Sequence, residues 1–581
     1  MSMDPRVQAR RDVEHAPANA MAWIVLAEAE LDAGDTRAGD AAARRALQLR
    51  PGHPEALARL GRAQSMQGLR NDAAASLRAA ASNAPGHPGI AVWLGHALED
   101  IGEAEEAAGA YARAYALAPQ EPQLAAYLLA WRRKLCDWRD VDALSRQVRD
   151  AVRLGRAAVE PFAFLSEDAG PDEQLRCARL RADVVARAIR PLPPAQPTPV
   201  TRSAIADAVE SEPVRVGFLS NGFGAHPTGL LTVAMFEALR SEPGVQPHLF
   251  ALNRDDGSLI RKRLSAAVHG IHDVSALPHA AIARRIREAG IDVLLDLRGW
   301  GGGGTPEVLA MRPAPVQANW LAYPGTSGAP WLDYVLADRF VLPPSLAPHF
   351  SEQVAWLPRC FQPSDTARNI PAPPPRDECG LPEEAVVFCC FNNSYKLNWR
   401  SMTRALAVVR GVPDSVLWLL SGPGLANRRV RDFAESQGVD PHRLVFMPKQ
   451  PHAEYLARLQ HADLFLDTHP YNAHTTASDA LWAGCPVLTC PGDTFAARVA
   501  GSLNHHLGMP ALNVDSDEAF VEHAVMLGRD RAALADVRRE LAARRTTSGL
   551  FDMPGFASDF ARVMRAMVER QRAGLPPAPL H

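Results

Sequence analysis

The chain has 581 residues, with 62 Lys and Arg against 65 Asp and Glu, a net charge of −3. At roughly 100–200 residues per domain it is too long for one core and predicts three or four units. The near balance of charge argues against a dedicated nucleic-acid or membrane-surface binder. Apolar runs such as Val386–Phe391 fall far short of the roughly 20 residues that span a bilayer.

The first residues, MSMDPRVQARRDVEHAP, contain no apolar stretch of the signal-peptide kind. Eight scattered cysteines include no CxxC pair, and Cys389–Cys390 sits in a strand-like run where core packing is expected. A cytoplasmic, reducing setting follows as the expectation. An internal period of 34 then organises the first third. Pro17, Pro51, Pro85 and Pro119 fall at that spacing, as do Leu26, Leu60 and Leu94; Gly34, Gly68 and Gly102; and Ala46, Ala80 and Ala114. This is the period of TPR helix–turn–helix repeats. The glycine ends the first helix, the alanine lets two helices approach closely, and the proline follows the second helix. Pro54 and Pro88 stand where new helices begin. Such units stack into a solenoid whose face docks peptide or protein, or serves as a spacer or dimerisation arm. From Pro122 to about Arg190 the chain reads helical without the period, as a cap and connection.

Pro191–Val200 is a proline-rich linker. After it, apolar strands alternate with helices: Val214–Ser220, His248–Leu252, Asp292–Leu297, Val316–Tyr323 and Tyr334–Asp338. A second series follows Pro371–Arg376: Val386–Asn393, Val416–Leu420, Leu444–Met447, Leu464–Asp467 and Pro486–Thr489. Near-continuous apolar strands separated by helices predict parallel sheets covered on both faces. Two such units in series predict two Rossmann-like lobes with a cleft between them, where ligands bind beyond the carboxyl ends of the strands.

Three constellations carry chemistry. In LDTHPYNAHTTASDALWAGCPVLT a strand ends at Asp467 and a helix begins near Thr475; its free N–H groups and dipole suit a diphosphate. Thr476 and Asp479 also fit a capping box, which merely starts a helix. In CFNNSYKLN, Tyr395 and Lys396 follow a strand; the lysine would stabilise a departing diphosphate or stand as a solvated charge. In SNGFGAHPTG, His226 lies on the first strand–helix turn, placed to act as a base or to orient an acceptor. No Walker phosphate loop, HExxH or GxSxG motif occurs. Asp515 and Asp517 form a DxD pattern, but a helix follows and capping is the expected role.

These segments, together with RPAPVQANWLAYPGTSG and SVLWLLSGPG, resemble the O-linked N-acetylglucosamine transferases and their SPINDLY relatives, glycosyltransferase family 41. The resemblance covers nearly the whole chain. It implies the GT-B fold behind an α solenoid of TPR repeats, a UDP-sugar donor, inversion at the anomeric carbon, no cofactor or required metal, and a Ser or Thr acceptor. It also implies roles. Lys396 matches the lysine on the donor diphosphate. His474, Thr475 and Thr476 match the segment around the diphosphate, and Asp479 the aspartate on the ribose. Asn393 takes the place of a glutamine. Gln450, His452, Tyr455 and Arg458 occupy nucleotide-contacting positions. His226 matches the histidine discussed as a base, and Asp296 is a second proton-relay candidate. Tyr455 stands where the animal enzymes have histidine, His452 replaces a lysine, and Trp300 replaces a tyrosine or histidine. Ile370–Arg376 leaves no room for the intervening domain of animal enzymes, and Asn19, Asn71 and Asn83 are out of phase for an asparagine ladder.

The expected layout is TPR repeats over 1–125, a helical cap and linker over 126–205, and catalytic lobes over 206–372 and 373–581. The expected activity is transfer of N-acetylglucosamine from UDP-GlcNAc to polypeptides docked along the TPR groove, with no nucleic acid, membrane or metal involved. The alternatives are a SPINDLY-like O-fucosyltransferase using GDP-fucose, and a TPR scaffold with a degenerate transferase half.

Overall fold

The 34-residue period folds as pairs of helices. In the computed structural model, which describes residues 4–193 and 213–581, the pairs are Ala20–Asp32 with Thr36–Leu49, Pro54–Met66 with Arg70–Asn83, and Pro88–Ile101 with Ala104–Leu117. Gly34, Gly68 and Gly102 lie at φ +84°, +78° and +82°, the left-handed turn that a side chain would resist. Ala46, Ala80 and Ala114 are fully buried. A Cβ on Gly61 would fall 2.6 Å from Leu77, and one on Gly95 2.6 Å from Tyr111, so both series, again 34 apart, permit close helix pairing. No asparagine joins the first helices of the repeats. Instead Arg62 pairs with Glu28 at 2.6 Å, and Arg59 and Arg62 both stack on Trp93, 4.8 and 5.0 Å from the ring centroid.

The repeats form a unit of Met1–Val148 with Gly422–Val430, and the second unit comprises Arg149–Ser421 with Arg431–His581. In the first, Tyr111 lies 5.4 Å from Tyr127 and 6.4 Å from Trp131 on the next helix, Pro122–Lys134. Solenoid units are stabilised by their neighbours, so deletion of residues 1–120 exposes these two rings. We expect a truncated chain that is poorly soluble and, if the family resemblance holds for activity, impaired with protein acceptors. A soluble truncation of normal activity, judged by sedimentation and transfer assay, would mean that the array neither stabilises nor recruits.

The second unit holds two parallel sheets. The first has order β3-β2-β1-β4-β5-β6-β7, with β1 Val214–Ser220, β2 Val245–Ala251, β3 Gly270–Asp273, β4 Val293–Asp296, β5 Val316–Asn319, β6 Tyr334–Asp338 and β7 Gln353–Leu357. The second has order β10-β9-β8-β11-β12, with β8 Val386–Cys390, β9 Ser415–Leu420, β10 Leu444–Met447, β11 Leu464–Leu466 and β12 Val487–Leu488. The two Rossmann-like lobes are those that the strand pattern predicted, and together they make the GT-B fold that the resemblance implied. Strands β3 and β7 were not anticipated. The expected run Val316–Tyr323 pairs only to Asn319, because Leu321 turns the chain at φ +80°. The expected linker lies, from residue 194 on, outside the described residues.

The chain's last long helix, Met553–Arg572, packs back on the first lobe, with Phe560 5.3 Å from Trp320 and 6.0 Å from Phe218. Part of the expected cap belongs to that lobe as well: Leu165, Ala182 and Val185 share a core cluster with Ile282, Trp300 and Tyr323. All eight cysteines are free thiols. Among the described residues no helix is long and apolar enough to cross a membrane.

Candidate functional site between the two lobes

In a doubly wound sheet the connections leave in opposite directions at the switch point, and a crevice opens beyond the strand ends. Here the switch points lie between β1 and β4 in the first lobe and between β8 and β11 in the second. The turns after these four strands carry His226, Arg298, Lys396 and the start of helix Thr475–Ala483. All four meet at one cavity of ≈540 Å³, which is also lined by Asn393, Gln450, Tyr455, Thr476 and Asp479.

Lys396 is buried at the floor of this cavity. Its Nζ donates to Asn472 O at 2.7 Å and sits 3.9 Å from the centroid of the Tyr471 ring. Burial holds its ammonium down to about 7, against the opposing pull of Asp467. Asp467, fully buried, ties the loop after β11: it accepts from Thr468 N at 2.7 Å, Ala473 N at 2.6 Å and Thr489 Oγ1 at 2.7 Å. Burial raises its carboxyl. A bound diphosphate favours the charged lysine. If a diphosphate binds here, its affinity is expected to fall as pH rises through about 7, by up to about tenfold per pH unit. Calorimetry between pH 6 and 9, with proton uptake measured in two buffers, checks this.

The helix Thr475–Ala483 opens onto the cavity. Its first i→i−4 bond runs from Ser478 N to His474 O at 3.1 Å, so the amides of Thr475, Thr476 and Ala477 have no acceptor within the helix. The expected capping box does not form. The N-cap is His474 and makes no side-chain cap. Thr476 Oγ1 donates to Asn392 Oδ1 at 2.7 Å, and Asp479 accepts from Arg368 Nη1 at 2.5 Å and lies 3.2 Å from His452 Nε2. Both side chains point across to other elements rather than back along their own helix. His474 Nε2 donates to Ala496 O at 3.1 Å; burial and Lys396 keep its ring neutral.

His226 is the N-cap of helix Pro227–Leu239, and its Nδ1 accepts from Thr228 N at 3.2 Å. In the neutral ring the proton then sits on Nε2. Burial, Arg298 and Lys449 together lower its imidazolium to about 4.

Three of the predicted residues stand apart from the lining. Asp296 is buried, accepting from Arg298 N at 2.9 Å and Gly299 N at 3.0 Å; it shapes the turn after β4. Arg458 faces Glu454 at 3.6 Å and Cys379. His452 lies behind the lining, 3.2 Å from Asp479 and with its ring 6.2 Å from that of Tyr455. Asp517 pairs with Arg404 at 2.6 Å, and Ser516 between the two aspartates caps the helix that follows. Sequence reasoning missed Arg298, Lys449 and Arg368. The first two border the cavity, yet a single cation after a strand looks like any surface charge. The Tyr455 hydroxyl is buried without a partner among the described residues, an orphan that a bound ligand would satisfy.

The family model for glycosyl transferase family 41 matches residues 202–374 and 365–560. An Arabidopsis thaliana protein named as a probable UDP-N-acetylglucosamine–peptide N-acetylglucosaminyltransferase, SEC, is 32% identical over 445 residues, 74% of this chain and 45% of its own. A Caenorhabditis elegans UDP-N-acetylglucosamine–peptide N-acetylglucosaminyltransferase is 26% identical over 560 residues, 76% of this chain and 48% of its own. The chain spans about half the length of these curated relatives. The solved structure of a mutant Thermobaculum terrenum O-GlcNAc transferase superposes with a TM-score of 0.68 at 25% identity, covering 98% of this chain and 99% of that one.

Proposed function

The chain belongs to glycosyl transferase family 41, and from that premise we propose that it is an inverting, metal-independent transferase. It moves N-acetylglucosamine from UDP-GlcNAc to Ser or Thr hydroxyls of polypeptides that dock along the repeats. The observation that carries this reading is the cavity where a buried lysine and a helix N-terminus face a histidine across two switch points. The names of the relatives supply the donor and the acceptor class.

In this reading the acceptor hydroxyl attacks the anomeric carbon from the face opposite UDP, and its proton passes to an oxygen of the departing diphosphate and from there to water. The bond from that carbon to the β-phosphate oxygen breaks, and its electron pair stays on the oxygen. Lys396 and the amides of Thr475 and Thr476 meet that developing charge with donors already in place. His226, with Nδ1 engaged by Thr228, offers Nε2–H to the acceptor side and orients the attack. Tyr455 and Asp479 line the nucleotide end, where Arg368 holds the carboxylate in position.

Calorimetry with UDP and GDP, each with and without excess EDTA, tests the donor. We expect UDP to bind at least tenfold more tightly than GDP, with an affinity that EDTA leaves unchanged. Preference for GDP would support the SPINDLY-like fucosyl reading. Loss of UDP binding on chelation, restored by manganese, would bring Asp515 and Asp517 back as ligands. Binding of neither nucleotide would leave the repeats with a degenerate transferase half.

A further inference from the structure

The cavity carries more positive charge than a donor diphosphate uses. Lys396 and the helix N-terminus serve the diphosphate, and Asp479, the acid in the lining, is already tied to Arg368. Two cations remain, Arg298 after β4 on one lobe and Lys449 after β10 on the other.

Neither makes an ion pair among the described residues, whereas several other arginines set into this unit do. Arg263 binds Asp365 at 2.7 Å and Glu237 at 2.8 Å, Arg404 binds Asp517, and Arg368 binds Asp479. Arg298 is half-buried. Its guanidinium donates only to Gly302 O, and its Nε is shielded from water without a partner. A guanidinium loses hydration on burial and is stable there when an anion replaces it. Both line the same cavity as His226, the residue that the proposed function sets beside the acceptor.

We propose that Arg298 and Lys449 form a carboxylate-binding subsite beside His226, so that the acceptor is a Ser or Thr flanked by Asp or Glu. This rests on the transferase reading above. The planar guanidinium suits a bidentate carboxylate, and Lys449, exposed on the opposite lobe, adds a point charge that closes over it.

The test uses the full chain with UDP-GlcNAc and a set of peptides in which one serine is flanked by Asp, Ala or Lys. The expected result is a kcat/KM for Asp-flanked peptide about tenfold or more above that for Ala-flanked peptide, with Lys-flanked peptide poorest. Arg298→Met and Lys449→Met each shrink that ratio, while UDP affinity by calorimetry changes less than about threefold. Lys449→Glu shifts the preference toward Lys-flanked peptide, a reversal that loss of folding does not produce. A donor arm compares binding of UDP-glucuronate and UDP-glucose. Preference for the uronate, with no flank preference among peptides, puts the carboxylate on the donor and overturns the acceptor assignment. Loss of UDP binding in Arg298→Met makes the arginine a diphosphate ligand and also overturns it. Equal use of all three peptides by an active enzyme does the same. If no peptide is glycosylated, the transferase reading fails by itself. Calorimetry of the same peptides on the UDP-loaded chain then still decides whether the subsite prefers acid.

Discussion

Lys396→Ala lowers turnover by about 100-fold or more, because one aligned donor to a developing anion is worth roughly 3–4 kcal/mol. The lysine is buried, and its one direct acceptor among the described residues is Asn472 O at 2.7 Å, so removing it leaves no charged partner stranded in direct contact. The fold therefore survives, and circular dichroism and thermal unfolding are the controls. UDP affinity weakens too, since part of the same contact exists before the bond breaks. A correctly folded alanine variant with near-normal turnover would remove Lys396 from the mechanism.

His226→Ala lowers turnover by about 100-fold while UDP affinity changes little, since a positioned acid–base or donor group contributes roughly 10²–10⁴-fold. The histidine stands on the first lobe, and Tyr455, Thr475 and Asp479, proposed above to face the nucleotide and phosphates, on the second. Its ring is neutral down to about pH 4, so turnover should show no loss from this group as pH falls from 8 to 5. Should the variant lose UDP affinity and keep its turnover at saturation, His226 is a binding residue, and Asp296 becomes the better relay candidate. Asp296 would then need its turn to open, because two backbone amides now occupy Oδ1.

The repeats were legible because three residue types recur for reasons of backbone sterics: Gly34, Gly68 and Gly102 need positive φ. The lobes were legible because buried parallel strands are apolar on both faces. Strand β3, Gly270–Asp273, was invisible since it is a half-buried edge strand with a glycine, a histidine and an aspartate in four residues. At the site, sequence placed Lys396 and the helix start at Thr475 well, because both follow strand ends. Of the two readings open for Thr476 and Asp479, the local capping pair does not form, since nothing local reveals Asn392 and Arg368 arriving from elsewhere. The same limit hid Arg298 and Lys449: that cations from two separate strand ends line one cavity is a property of the folded chain.

The most direct test of the central claim is transfer itself. The full chain is incubated with UDP-GlcNAc and a pool of Ser- and Thr-containing peptides, and the products are read by mass spectrometry and anomeric NMR. The account predicts peptides that gain one N-acetylhexosamine on a Ser or Thr oxygen, in the configuration opposite to the donor's, with equimolar UDP released. Release of UDP with retained configuration, or a chain that binds UDP and modifies no peptide with any sugar nucleotide, would contradict it.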